Sequence, residues 1–322
     1  MSQLVLCCDN PNHMRDSQQI LHLNGFTDEE KERYKTPILR NLLDAMSQLL
    51  KACEDLHIVH EHLLQNCVDD FHEFYRNVDT ADAEKEVTIP PDMCKKLQRL
   101  WKSSSVQMAY QRRWRFYLLD SAKYFLDAIV RITDKSYMPE IQDILQCRFP
   151  TKGTEEIQFN YENMSFTMID VGGQRSERRK WIHVFDKINM MLFVAALSDY
   201  DLTDPENGSQ NRLLANRYIF RTLVQSSFFR NAAIVLFFNK IDTFQEKLNN
   251  SPLVKHMTEY TGQNTVEECS KYLGNQFRAC VKEKHKFFMF CTTATDTRNI
   301  EFMFGSALTH IINENLRATG SY

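Results

Sequence analysis

Met190-Met191-Leu192-Phe193-Val194-Ala195-Ala196-Leu197 is apolar at every position. A strand with one wet face alternates apolar and polar residues. A run without a polar position fits a strand buried on both faces of a parallel sheet. Ala232 to Phe238 and Phe287 to Cys291 have the same character. Helical segments lie between these runs, and a last helix is expected from about Ile300 to Leu316. Strand–helix alternation of this kind predicts a doubly wound α/β domain. Just upstream, Ile157, Phe159 and Tyr161 alternate, then Phe166 and Met168 alternate after Glu162-Asn163, which predicts a hairpin.

Further toward the N-terminus the period changes. From Pro37 to about Val130 the pattern is helical, with no strand signal. Ile38, Leu42, Met46, Leu49, Cys53 and Leu56 recur at three- and four-residue steps and mark one apolar stripe. Pro90-Pro91 open a new helix with Met93, Leu97 and Trp101 on one face, and another helical run covers Tyr117 to Ile132. Asp28 to Lys35 is a charged stretch. Before it stand a short strand candidate, Leu4 to Cys8, a polar loop from Asp9 to His13, and a short helical stretch to Leu23. The expected organisation is an atypical N-terminus over 1–30, an all-helical insertion over 31–147, and the sheet domain over 148–322.

Composition excludes several classes. The chain has 322 residues, 43% hydrophobic and 25% charged, as in ordinary globular proteins rather than disordered or fibrous ones. Its 39 Lys+Arg against 42 Asp+Glu leave −3, too balanced to bind nucleic acid by bulk charge. No apolar run approaches the ~20 residues that span a bilayer, and no signal-peptide pattern stands at the start. Nine cysteines without Cys-x-x-Cys spacing read as reduced thiols in a cytosolic protein. His57, His60, His62 and Cys67 match no common structural zinc spacing.

Three motifs follow predicted strands, where open α/β sheets bind ligands. The first is Asp170-Val171-Gly172-Gly173-Gln174. An aspartate at a strand end can hold Mg²⁺ through water, and Gly173 lets a backbone N–H approach a phosphate oxygen closely. Asp-x-x-Gly alone is weak, with about one chance match expected in such a chain. The second is Asn239-Lys240-Ile241-Asp242. The Asp242 carboxylate can accept from guanine N1–H and the 2-amino group. Adenine offers neither donor and would leave the carboxylate unpaired. Lys240 can lay its stem over the base, and Asn239 can tie loops together. This motif is far more specific, at ~0.04 chance matches per chain. The third is Thr293-Ala294-Thr295, where the Ala294 N–H could bind guanine O6.

Together these stretches resemble the G-protein alpha subunits of heterotrimeric G proteins. Asp170 to His183 is similar to the family's switch II. Ala196-Leu197-Ser198-Asp199-Tyr200-Asp201-Leu202, the Asn-Lys-x-Asp motif, Ala294-Thr295-Asp296-Thr297 and Leu119-Asp120-Ser121-Ala122 are also similar, from about residue 20 to the C-terminus. The ending Asn315 to Tyr322 is most similar to the inhibitory/other subclass. The resemblance implies a Ras-like doubly wound sheet of the P-loop NTPase type with an inserted all-helical domain. It implies GTP binding and hydrolysis, Mg²⁺ with GTP or GDP, and three partners: a beta-gamma dimer, a seven-helix receptor and an effector. It further implies a cytoplasmic location or the inner face of the plasma membrane.

Residue by residue, the resemblance makes Arg148 the arginine finger supplied in cis and Gln174 the residue that orients the attacking water. In this family such an arginine is credited with roughly 10³–10⁵ in rate. Thr151 would ligate Mg²⁺ directly and Asp170 through water. Asp120, Ser121, Leu145, Gln146 and Cys147 match nucleotide-contacting positions, as do Val171 and Gly172. Arg175, Arg178, Arg179, Lys180 and Trp181 match the segment that meets beta-gamma or an effector. Gln146, Pro150 and Lys152 depart from the family's usual basic, basic and threonine residues.

One family element is missing from the sequence. Its phosphate loop, Gly-x-x-x-x-Gly-Lys-Ser/Thr, lies between the first strand and the first helix. The chain has nine glycines, none before Gly25, and no Gly-Lys dipeptide. Two readings stand at this point. Either Leu4 to Cys8 acts as the central first strand with a non-glycine loop after it, or residues 1–19 are alternative sequence that packs poorly. Both lead to weakened nucleotide binding. Ser2 stands where N-myristoylation needs glycine, and the family's N-terminal amphipathic helix is not expected here.

Overall fold

The computed structural model describes residues 2–8, 26–80, 86–119, 121–148, 154–161, 164–172, 176, 178–185, 188–204, 207–283, 285–292, 305 and 308–309. The chain divides into two units, Phe26–Phe149 and Met1–Gly25 with Pro150–Tyr322.

Helices are the only regular elements among the first unit's described residues. Its longest element, α1 (Asp28–Asp55), starts ten residues before Ile38, the first residue of the apolar stripe. Thr27 caps it: the Glu30 N–H donates to Thr27 Oγ1 at 3.2 Å, and the Thr27 N–H donates to Glu30 Oε2 at 2.8 Å. That reciprocal box, with acids in the first turn, turns the charged stretch Asp28 to Lys35 into helix and carries it through Pro37. Ile38, Leu42, Met46, Leu49 and Cys53 are fully buried. Against them stand α2 (Gln65–Asp79), α3 (Pro91–Lys102), α4 (Ser104–Gln111), α5 (Ala122–Asp127), α6 (Ile129–Ile132) and α7 (Ile141–Gln146). Pro91 opens α3 as expected, and Met93, Leu97 and Trp101 are buried. The helical run expected from Tyr117 starts only at Ala122, because Phe116 to Leu119 take a non-helical course.

A buried ionic network fixes this unit's last helix. Asp143, 0% exposed, accepts from Arg131 at 2.6 and 2.7 Å, Tyr124 at 2.7 Å, Tyr137 at 2.9 Å and the Glu140 N–H at 2.9 Å. Burial alone would raise its pKa. The hydrogen bonds outweigh burial and hold the carboxyl below its ordinary value, Arg131 contributing most. A carboxyl lowered in the folded state stabilises above the unfolded pKa, about 4, and loses that contribution as pH falls through its own lower value. Asp143→Asn is therefore expected to cost about 3 kcal/mol at pH 7. Urea unfolding followed by helical circular dichroism should show the gap from wild type narrowing at pH 3. A gap of equal size at both pH values contradicts this account.

The second unit is built on a six-stranded sheet of order β2-β3-β1-β4-β7-β8. Its strands are β1 (Ser2–Cys8), β2 (Thr154–Tyr161), β3 (Met164–Val171), β4 (Met190–Ala196), β7 (Ala233–Asn239) and β8 (Phe287–Cys291). A separate ribbon pairs β5 (Thr203–Asp204) with β6 (Asn207–Asn211). β2 and β3 form the expected antiparallel hairpin, Thr154 opposite Val171 and Tyr161 opposite Met164. All other pairs in the large sheet are parallel. The strand of the first reading of the N-terminus is present: β1 lies in the middle, with Leu4 opposite Met168 on one side and Met190 on the other, while the loop expected after it lies outside the described residues.

The unbroken apolar runs reflect two cores, one on each face. Met191, Phe193 and Ala195 of β4, with Ile234, Leu236 and Phe238 of β7, face one core. Met190, Leu192 and Val194, with Val235 and Phe237, face the other. Three helices, α8 (Arg212–Gln225), α9 (Ile241–Asn250) and α10 (Val266–Arg278), supply Phe220, Phe244 and Phe277 to the first. β8 corrects the expectation of burial on both faces. Among the described residues it has one neighbouring strand, its side chains are half-buried or exposed, and Met289 is 38% exposed. The expected last helix lies outside the described residues except for helical positions 305, 308 and 309.

Candidate functional site

Five parallel strands bring their carboxyl ends to one edge of the sheet: Cys8, Val171, Ala196, Asn239 and Cys291. β1 lies between β3 and β4, so the strand order reverses there, the position at which open α/β sheets bind ligands.

Asp170 is the second-last residue of β3, 1% exposed, opposite Leu6 of β1 and Glu155 of β2. The parallel register sets it beside the end of β1. Gly172 follows, and its carbonyl accepts a 2.9 Å hydrogen bond from Trp181 Nε1. Trp181 is 7% exposed and packs on Phe185 at 5.9 Å between ring centroids. The 3-10 turn Arg178–His183 is thus tied back to the strand end by the indole.

At the end of β7, Asn239 is 5% exposed and its Oδ1 accepts from the Lys240 N–H at 2.8 Å. Lys240 adopts φ 60°, ψ 42°, the left-handed region. A residue with a Cβ costs roughly 1–2 kcal/mol there. That bend turns the chain straight from strand into α9 and leaves Asp242 exposed in the first helical turn. The Ile241 N–H donates to the Thr292 carbonyl at 3.4 Å, and the Thr292 N–H donates to the Phe238 carbonyl at 2.8 Å. The loop after β7 and the residue after β8 are therefore laced together by backbone. Beyond β4, the buried turn Leu197–Asp201 is locked by two ion pairs. Asp199 meets Arg212 at 3.0 Å, and Asp201 meets Lys247 at 2.7 Å.

The helical unit holds the remaining described candidates. Ser121 is 6% exposed and precedes α5. Leu145 and Cys147 are 2% and 0% exposed, and Gln146 is the half-buried end of α7. Arg148 is half-buried. Its Nη1 donates to the Tyr117 hydroxyl, with the guanidinium 5.8 Å from that ring's centroid. Asp120, Thr151, Gly173, Gln174 and Ala294 lie outside the described residues.

The family model for G-protein alpha subunits matches residues 14–312. This chain belongs to that family. It is similar to the guanine nucleotide-binding protein alpha-6 subunit of Caenorhabditis elegans, 48% identical over 303 residues, covering 94% of this chain and 82% of that protein. The subunit of the same name from Caenorhabditis briggsae is also 48% identical over the same shares of each chain.

For a member of the alpha-subunit family, the sheet brings Asp170, Val171, Gly172 and Asn239 to Asp242 to a single edge. The helical unit carries Ser121, Leu145, Gln146, Cys147 and Arg148. Sequence reasoning missed Thr292 as the link between two loops, the left-handed Lys240, and Asn41. Asn41 carried a legible signal: a polar residue on the buried stripe of α1, 6% exposed.

Proposed function

We propose that this chain is a guanine-nucleotide-binding alpha subunit of a heterotrimeric G protein with much weakened grip on the nucleotide's phosphates. The observation that carries the reading is the loop Asn239 to Asp242, bent by Lys240 and bound to Thr292 at the sheet's carboxyl edge. Asp242 would read the guanine face, and Ala294 would bind O6. Asp120, Ser121, Leu145, Gln146 and Cys147 would complete the nucleotide contacts. Arg148 would neutralise charge on the γ-phosphate and Gln174 would orient water, giving slow hydrolysis. The chain would couple a seven-helix receptor to an effector and meet a beta-gamma dimer through Arg178, Arg179, Lys180 and Trp181. Among the described residues no helix is long and apolar enough to cross a membrane. The reading places the chain in the cytoplasm or at the inner face of the plasma membrane.

Asp170 suits magnesium, a hard cation that takes carboxylate and hydroxyl oxygens, often through water. It is a buried oxygen donor near the carboxyl end of β3, and Thr151 would add a hydroxyl. When bound, Mg²⁺ supplies charge neutralisation between the phosphates.

The weakened grip follows from the segment between β1 and α1. Only Gly25 stands there, and no Gly-Lys pair. Residues with side chains resist the positive φ values of a phosphate nest. Asp9 repels phosphate, and Arg15 is the one nearby Lys or Arg in the sequence. The same observation favours a second reading, a non-cycling scaffold or decoy that binds receptor, beta-gamma or effector. Titration with a non-hydrolysable GTP analogue and Mg²⁺, following tryptophan fluorescence and direct binding, separates them. Saturation in the millimolar range is expected. Micromolar or tighter binding overturns the weakened grip, and no binding at millimolar nucleotide leaves the scaffold.

A further inference from the structure

Asn41 makes three hydrogen bonds from the buried face of α1. Its Nδ2 donates to the Pro37 carbonyl at 2.9 Å and to the Arg148 carbonyl at 3.0 Å. Its Oδ1 accepts from the Arg148 N–H at 2.6 Å. One side-chain amide thus grips both polar groups of a single residue far away in sequence, as a neighbouring strand would. The residue before Arg148 is also fixed: Cys147 is 0% exposed, and its N–H donates to the Ile144 carbonyl at 3.0 Å. Beyond that grip the guanidinium lies against Tyr117.

We infer that Asn41 is a positioning residue for hydrolysis: it pins the main chain from which the Arg148 guanidinium reaches. This inference rests on reading Arg148 as the hydrolytic arginine. An arginine side chain has many rotamers, and fixing one costs entropy. With its Cα held to a 28-residue helix, only side-chain torsions remain to be settled in the transition state. Without the grip, the pivot itself wanders, and a misplacement of about 1 Å can cost 100-fold in rate. The geometry also explains why an amide is needed. Aspartate keeps an acceptor for the Arg148 N–H but turns an oxygen toward the carbonyls of Arg148 and Pro37.

The test is steady-state hydrolysis of GTP by the full chain with Mg²⁺, at nucleotide concentrations saturating each variant. Binding of a non-hydrolysable analogue is measured in parallel. Arg148→Ala is expected to slow hydrolysis by about 10³-fold or more. Asn41→Ala and Asn41→Asp should slow it about 10- to 100-fold with analogue affinity within about twofold of wild type. The double variant N41A/R148A should be no slower than R148A alone. Asn41→Asp, close to the native shape, serves if the alanine variant unfolds. Wild-type rates in both Asn41 variants beside a slow R148A overturn the positioning role and leave the arginine's role standing. Analogue affinity lost while kcat is kept shows Asn41 to be structural only, and also overturns it. An R148A rate equal to wild type overturns the arginine's role and the inference together.

Discussion

Asp242→Asn lowers affinity for guanine nucleotide by about 100- to 10⁴-fold and abolishes the preference for guanine over adenine. The estimate comes from two hydrogen bonds to a charged group at ~1.5–3 kcal/mol each. The asparagine retains one acceptor. Its amide nitrogen meets the guanine 2-amino group donor to donor, so the second bond becomes a repulsion. The backbone contributes nothing to this effect, because the bend at Lys240 and the link to Thr292 use main-chain groups and the Asn239 side chain. Asp242 itself is exposed in the first turn of α9. Its replacement should leave the melting temperature nearly unchanged. Competition between guanine and adenine nucleotides at millimolar concentration reads the result. Persistent guanine preference in the variant disproves this assignment of base recognition.

Lys247→Met destabilises the sheet unit by about 3–5 kcal/mol, which lowers its melting temperature by on the order of 10 °C. Asp201 is 2% exposed in its side chain and Lys247 is 11% exposed, with 2.7 Å between charges. Lys247 also donates to the Ser198 carbonyl at 2.8 Å. Truncation leaves Asp201 charged inside the protein with its main cation gone. The double variant Asp201→Leu/Lys247→Met should regain most of the loss, since a buried ion pair is seldom better than an apolar pair of similar size. Differential scanning calorimetry of the three proteins decides. A single variant that melts with wild type shows that water reaches the pair and that the turn after β4 is not held by it.

β4 and β7 were legible because burial on both faces demands apolar residues at nearly every position, which no surface helix shows. The hairpin was legible because one alternation stops and another starts across Glu162-Asn163. The start of α1 was hidden: Asp28 to Lys35 reads as a solvated run, and Pro37 reads as a boundary. Thr27 and Glu30 overrule both by satisfying the first turn's N–H groups. β8 carries the composition of a central strand at the sheet's edge, and composition does not report how many neighbours a strand has. At the site, motif spacing located the residues after β3 and β7, because ligand chemistry dictates residue type there. Asn41 stood out as a polar residue on a buried stripe, but its partner, the Arg148 backbone, and the Thr292 link beside Lys240 depend on where distant backbone groups arrive, which no local pattern encodes.

The central strand is separated in sequence from both of its partners by the whole helical unit: Ser2 pairs with Phe166, and Leu4 with Met190. At synthesis rates of ~5–20 residues per second, β1 leaves the ribosome roughly 10–30 s before β3 exists to receive it. The helical unit, rich in local contacts, has time to fold in that interval, while the sheet waits for its most distant pairings. Until then the nascent chain carries an apolar segment whose native neighbours have not been made, a natural client for holding chaperones.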